Sequence, residues 1–204
     1  MKKLVIFDFD GVLIDTLLMC YELNKANNPD HSWQDFKEMS HGNFYTALRS
    51  GIKNKKFSPH PDFHTLYGEK ICDINIPPIL KELVIKLAKD NSLSIVTSGY
   101  TLAITDHLKR EGIDKYFDEI LGFDFHVSKV VKLNKLLNDH SISSNDCVFI
   151  TDTLGDILEA NECKIKSIAV TWGLHEKETL EKGNPALIID NPIDLESAIN
   201  SVLK

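Results

Sequence analysis

The sequence predicts an α/β protein: a parallel sheet core with helices on both faces, carrying a small α-helical insert after its first strand. Three observations predict it. Short apolar runs that end abruptly at polar residues recur at 3–7, 93–96, 147–150 and 167–170, as strands buried on both faces of a parallel sheet do. Segments with helical spacing of apolar residues alternate with them. Between the first run and the second lie some sixty residues of mixed composition that hold no convincing strand.

Taken in order, the first strand is LVIF, closed by Asp8. The stretch 17–76 follows, with short helices expected at 33–39 and 44–50, and turns at Asn28-Pro29 and at Ser58-Pro59-His60-Pro61. It reads as a separate helical unit, joined by linkers near Asp15-Thr16 and near 75–77; residues 1–16 and 77–204 form the core. PILKELVIKLAK at 78–89 places Ile79, Leu80, Leu83, Val84 and Leu87 on one helical face, and Pro78 suits its first turn. Helices are also expected at 101–111, 130–138 and 154–163, and a shorter fifth strand at 186–189.

Composition narrows the function. The chain has 23 basic and 30 acidic residues, a net charge of −7, which argues against nucleic-acid binding through a broad basic face. An anionic small substrate remains compatible, because a metal ion and a lysine can reverse the sign inside a cleft. No segment reaches the ~18 apolar residues of a membrane span. The N-terminal apolar run is interrupted by Asp8 and Asp10, unlike a signal peptide. Cys20, Cys72, Cys147 and Cys163 form no CxxC pair and read as reduced, structurally buried thiols of a cytoplasmic protein.

Four short motifs carry chemistry. In Asp8-Phe9-Asp10-Gly11, two carboxylates at a strand end point the same way, and the glycine lets the chain turn. An aspartate can attack phosphorus if a cation screens the repulsion, while a second carboxyl protonates the leaving alkoxide and then activates water. An exposed Asp-Gly turn is the competing reading, but Phe7 and Phe9 flank the acids. Thr151-Asp152-Thr153-Leu154-Gly155-Asp156 follows a buried run, and its acids, four apart, share a face if a helix starts there. Such hard oxygen ligands suit Mg²⁺; helix capping accounts for one of the acids. Thr97-Ser98-Gly99 at a strand-to-helix turn makes either a phosphate cradle or a simple helix cap. In Ser128-Lys129-Val130-Val131-Lys132, Lys129 is the lysine nearest the loop and Lys132 the alternative one turn on.

In this order DFDGVLIDT, IVTSG, SKVVK and TDTLGD resemble the motifs of the haloacid dehalogenase-like (HAD) superfamily, and the resemblance spans nearly the whole chain. Tyr116 to Gly122 and Thr171-Trp172-Gly173 are similar to further segments of that family. The resemblance implies a Rossmann-like core with a helical cap at 17–76, closing over the site. It implies Asp8 as nucleophile and Asp10 as general acid and base. It assigns Thr97 and Ser98 with Lys129 to phosphate, and Mg²⁺ to the Asp8 carboxylate, the Asp10 carbonyl and Asp152, with Asp156 supporting. Val12 and Thr151 depart from the usual family residues, and the lysine motif lacks its usual proline.

The implied activity is a phosphatase acting on a small phosphorylated metabolite, as a monomer or small homo-oligomer. A phosphosugar mutase would use the same core residues, and a binding protein that had lost turnover would keep the fold. Both acids at positions 8 and 10 favour phosphoryl transfer over dehalogenation. In the cap, His41, Asn43, Arg49, Lys53 and His64 are candidate substrate contacts, Arg49 foremost because Phe44, Leu48 and Ile52 around it look buried. Trp33 and Trp172 read as core packing before base stacking.

Overall fold

The computed structural model describes residues 2–43 and 61–204. The expected helix at 44–50, and with it Arg49 and Lys53, lies outside the described residues. Among the described residues, one sheet of six parallel strands runs in the order β3-β2-β1-β4-β5-β6. The strands are β1 (Lys3–Phe7), β2 (Asn91–Val96), β3 (Glu119–Leu121), β4 (Cys147–Thr151), β5 (Lys166–Val170) and β6 (Leu187–Ile189). The helices of the insert are α1 (Leu17–Asn27), α2 (Trp33–Glu38) and α3 (Phe63–Lys70). Those of the core are α4 (Pro78–Leu87), α5 (Thr101–Glu111), α6 (Lys129–Asp139), α7 (Leu154–Glu162), α8 (Lys177–Leu180) and α9 (Leu195–Val202).

The two-residue period of the strands sorts the core into layers. Val5 and Phe7 of β1, Leu93 and Ile95 of β2, and Val148 and Ile150 of β4 face a cluster closed by α4, α5 and α9. The alternate residues Leu4, Ile6, Val96, Cys147 and Phe149 pack on Leu133 and Leu136 of α6 and Ala160 of α7. Ala169 of β5 meets Ile157 and Leu180 on that side. The helices thus cover both faces. Leu23, Tyr67 and Ile71 of the insert join the first cluster, so the apolar core runs without a break from the sheet into the insert.

The topology reverses between β1 and β4. From β1 the chain works outward through β2 to β3, then crosses back to β4 and continues through β5 to β6. The loops leaving β1 and β4 therefore diverge, opening a crevice at the carboxyl ends of two adjacent strands. Asp8 follows one strand end and Asp152 the other.

The structure corrects the sequence reading in particular places. Ala186 is outside β6, and β3 and α9 were not foreseen. Helix α7 begins at Leu154 with Thr153 as its cap, its Oγ1 accepting the Asp156 N–H at 3.3 Å. Asp152 therefore stands before the helix instead of sharing a helical face with Asp156. Cys147 and Cys163 are buried and Cys20 half-buried, but Cys72 is exposed, so burial does not explain that thiol. Trp33 packs on Tyr21 and Phe36, and Trp172 donates its ring N–H to the Val12 carbonyl at 3.2 Å, both structural roles. No helix among the described residues is long and apolar enough to cross a membrane.

Helix α5 ends on Gly112 at φ 75°, and the next N–H, of Ile113, bonds back to the Leu108 carbonyl. A Cβ there meets nothing within 4 Å, so only the left-handed backbone opposes a side chain. Gly112→Ala is expected to cost about 1–2 kcal/mol, read as a shift of the urea midpoint at constant slope. A loss above about 3 kcal/mol would instead require a steric clash.

Candidate active site

Asp8 continues the β1 ladder: its N–H donates to the Ile150 carbonyl of β4 at 2.9 Å. The backbone thereby fixes its side chain over the crevice. Asp8 Oδ1 accepts the Phe9 N–H at 2.7 Å, and Oδ2 accepts from Lys129 Nζ at 2.8 Å. The same ammonium lies 2.6 Å from Asp156 Oδ2, and Thr151 Oγ1 donates to that oxygen at 2.7 Å. Lys129 is 3% exposed, so both ion pairs are buried. Lys132 goes elsewhere: its Nζ donates to the Thr97 carbonyl at 2.6 Å and braces the end of β2. Of the two lysines, the structure brings Lys129 to the acids.

Asp152 is held on the other side of the crevice. Its Oδ2 accepts the Leu174 N–H at 2.7 Å, and its carbonyl accepts the His175 N–H at 3.2 Å. Its Oδ1 is buried and has no hydrogen-bond partner. Two glycines are moulded around this carboxylate. A Cβ on Gly11, whose φ is 75°, would come 2.0 Å from Asp152 Oδ2, and a Cβ on Gly173 would come 2.2 Å from its Cβ.

Asp10 lies two residues beyond Asp8. Its Oδ1 accepts from Thr16 Oγ1 at 2.5 Å and from Tyr67 Oη at 2.7 Å. Thr97 is buried at the end of β2, and its Oγ1 accepts the Gly99 N–H at 2.9 Å. That bond tightens the turn before α5 and leaves the hydroxyl proton available as a donor. The cap of α5 is Tyr100, so the helix-cap reading of Thr97 and Ser98 does not hold. Ser98 and Gly99 line the cavity directly.

Crowding acids in a buried crevice has an electrostatic cost that shows in their protonation. Burial, together with Asp156 and Asp152, raises Asp8 well above the usual carboxylate range, although Lys129 pulls it back. Burial also pushes Asp152 up to about 7, against the Leu174 N–H. Burial raises Asp10, and the Thr16 and Tyr67 hydroxyls oppose that. Burial acts on Asp156 in the same sense, but the Lys129 ammonium and the bonds it accepts hold it below its ordinary value. Burial would lower Lys129, yet the Asp156 and Asp8 carboxylates hold it firmly protonated. Burial, with Lys129 beside it, brings Lys132 down to about 8.

One lysine among Asp8, Asp10, Asp152 and Asp156 leaves negative charge uncompensated. A divalent cation would neutralise it, and the orphaned Asp152 Oδ1 is the oxygen left over to bind one. No three side chains of His, Cys, Asp or Glu converge as a metal site among the described residues. The expected ligand set needs only two carboxylates with a backbone carbonyl and waters, the coordination that Mg²⁺ favours.

Above the acids lies a cavity of about 360 Å³, walled by the strand-end loops below and by insert residues including Leu17, Phe36, Phe63 and Tyr67 above. Of the insert candidates, His64 lines this cavity, stacked on Phe123 of the core at 4.1 Å between ring centres. His41 is exposed, its ring 5.0 Å from that of His175. Asn43 donates to the Val127 carbonyl at 3.2 Å and to Glu159 at 3.1 Å. Three further bonds tie insert to core. Gly155 N–H donates to the Ser40 carbonyl at 3.0 Å, His175 Nε2 to the Lys37 carbonyl at 3.0 Å, and Lys37 pairs with Glu176.

Glu159 has no counterpart in the sequence reading. It sits on α7, 7% exposed, and accepts the N–H groups of Lys129 at 2.8 Å and Val130 at 3.3 Å and the Ser128 hydroxyl at 3.1 Å. Ser128 makes no capping bond of its own, so Glu159 caps α6 from a neighbouring helix and favours its positive end. It thereby fixes the height at which Lys129 enters the site. Thr16 and Tyr67 were likewise unforeseen. Glu159→Ala is expected to cost about 1–3 kcal/mol in urea unfolding, through the unmet N–H groups, and Glu159→Gln less than half of that. A loss in Glu159→Ala with none in Glu159→Gln would show that the carboxylate charge contributes nothing beyond packing and a neutral acceptor.

Comparison with known proteins agrees with this geometry. A family model described as haloacid dehalogenase-like hydrolase matches residues 5–170. A phosphoglycolate phosphatase of Synechococcus elongatus is 23% identical over 208 residues, covering 98% of each chain. Another from Vibrio parahaemolyticus is 27% identical over 152 residues, covering 72% of this chain and 66% of its own. Among solved structures, a haloacid dehalogenase-like family hydrolase from Streptococcus pneumoniae superposes with a TM-score of 0.79 at 22% identity, covering 97% of this chain and 98% of its own. The family match runs from β1 to the end of β5 and so takes in every acid of the crevice: this chain belongs to the haloacid dehalogenase-like hydrolase family.

Proposed function

We propose that this chain is a Mg²⁺-dependent phosphatase that hydrolyses a small phosphate monoester through an aspartyl-phosphate on Asp8. The observation that carries the reading is the buried Asp8–Lys129–Asp156 contact with Asp10 two residues on, at the floor of a cavity.

In the first step an Asp8 carboxylate oxygen attacks phosphorus and the ester P–O bond breaks. Asp10 gives its proton to the departing alkoxide. Thr97 Oγ1, Ser98 and Lys129 donate to the phosphoryl oxygens as their charge reorganises. In the second step Asp10, now a carboxylate, takes a proton from water. That water attacks phosphorus, the bond to Asp8 breaks, and inorganic phosphate leaves with Asp8 regenerated. Asp8, the Asp10 carbonyl and Asp152 would hold Mg²⁺, whose positive charge would let an anionic nucleophile approach an anionic phosphate. Asp156 and Thr151 keep Lys129 in place. Residues 17–76 act as the cap that closes the cavity and keeps bulk water out.

The relatives named phosphoglycolate phosphatase put 2-phosphoglycolate first in a panel of small esters. The cavity volume of about 360 Å³ suits a small metabolite. Phosphate release is expected to need Mg²⁺, to vanish in EDTA and to return when Mg²⁺ is restored. Asp8→Asn keeps the shape of the side chain but removes the nucleophile, and is expected to lower kcat by at least about 10³-fold. Release by Asp8→Asn at the wild-type rate would overturn the covalent mechanism.

A further inference from the structure

We propose that Tyr67 is a positioning residue for Asp10, fixing which carboxylate oxygen faces the leaving group. The proposal rests on Asp10 serving as acid and base. Tyr67 reaches Asp10 from α3, 57 positions along the chain, and its hydroxyl donates to Oδ1 at 2.7 Å. Thr16 donates to that same oxygen at 2.5 Å. Two donors on one oxygen leave the other, Oδ2, as the place for a transferable proton. Oδ2 is the oxygen turned toward the Thr97-Ser98-Gly99 turn: a Cβ built on Gly99 would lie 3.5 Å from it. The two hydroxyls therefore hold the carboxyl with its reactive oxygen toward the region where phosphate is expected.

The tyrosine is itself held firmly. It is 2% exposed, within the main apolar cluster, and its ring stacks against Phe63 at 6.0 Å and 26°. A buried phenol must satisfy its hydroxyl, and Asp10 is the acceptor it has been given. The hydroxyl has its hydrogen directed at Asp10 Oδ1. The bond runs from the insert to the core. The orientation of the acid thus depends on α3 being seated, and Thr16 alone leaves the carboxyl free to turn about a single bond.

The test separates positioning from packing by the leaving group. An alkoxide must be protonated as it departs, whereas p-nitrophenolate departs unaided. Tyr67→Phe keeps the ring and loses only the hydroxyl; its melting temperature is recorded alongside. Single-turnover phosphorylation is measured with 2-phosphoglycolate, or the best alkyl ester of the panel, and with p-nitrophenyl phosphate. For Tyr67→Phe the alkyl ester is expected to slow about tenfold and the aryl ester to change by less than about twofold, KM staying constant for both. Asp10→Asn serves as the reference and should show the same selectivity, only larger. If Tyr67→Phe slows both esters equally, or neither, while Asp10→Asn remains selective, the positioning role is overturned and the reading of Asp10 stands. If Asp10→Asn is itself unselective, the reading of Asp10 fails and the proposal falls with it.

Discussion

Everything about this site follows from crowding several carboxylates into a crevice that is largely buried. Asp8 and Asp152 leave adjacent parallel strands at the point where the sheet reverses direction, so the fold brings their charges together. Like charges in a low-dielectric crevice repel strongly, and burial penalises each one further. Lys129 answers part of that cost by pairing with Asp8 and Asp156 at once. The remainder keeps Asp8 and Asp152 raised and leaves Asp152 Oδ1 without a partner. A crevice whose acids outnumber its one lysine has room for a cation, and a cation there would favour an anionic substrate.

The precision of the arrangement is set by backbone and not by the acids themselves. Asp8 is aimed by a ladder bond, and Asp152 by amides of the 174–175 turn. Gly11 and Gly173 close on Asp152 so tightly that no side chain fits at either position. Lys129 is placed by a helix whose first turn is capped by Glu159 on a different helix. Each reactive group is thus held by at least one rigid element that is not its own, which is the condition for holding charge in a geometry it would otherwise leave.

Much of the core of this arrangement was legible in the sequence, and for identifiable reasons. Strands β1, β2, β4 and β5 are largely buried on both faces, so they read as mainly apolar runs, and those of β1, β2 and β4 end just before residues of the crevice. The acids follow directly, and four motifs in order specify one fold. Strand β3 was not legible because its three residues are only partly apolar and partly buried. The insert helices α1 and α3 have weak apolar stripes: each buries only a single apolar side chain fully, Leu23 in one and Tyr67 in the other. Tyr67 and Glu159 carried no local signal at all. Each acts across a long stretch of sequence, 57 residues from Asp10 in one case and 30 from Lys129 in the other. A tyrosine in a helix reads as packing until its hydroxyl is seen to have a partner.

The insert is therefore more than a cover. Its carbonyls at Lys37 and Ser40 accept from His175 and Gly155, next to the loop that carries Asp152. Its Asn43 reaches Glu159, which sets the helix of Lys129, and its Tyr67 reaches Asp10. These contacts reach three parts of the crevice from above: the Asp152 loop, the Lys129 helix and Asp10. A displacement of the insert would loosen each of them together. Since the same insert walls the cavity with Phe36, Phe63 and His64, the surface that meets the substrate is mechanically continuous with the bonds that orient the chemistry. A ligand that seats the insert well would then also place Asp10, Lys129 and Asp152 well. One that does not would bind without being turned over efficiently, so binding energy from the unreactive part of the substrate can be expressed at the phosphorus.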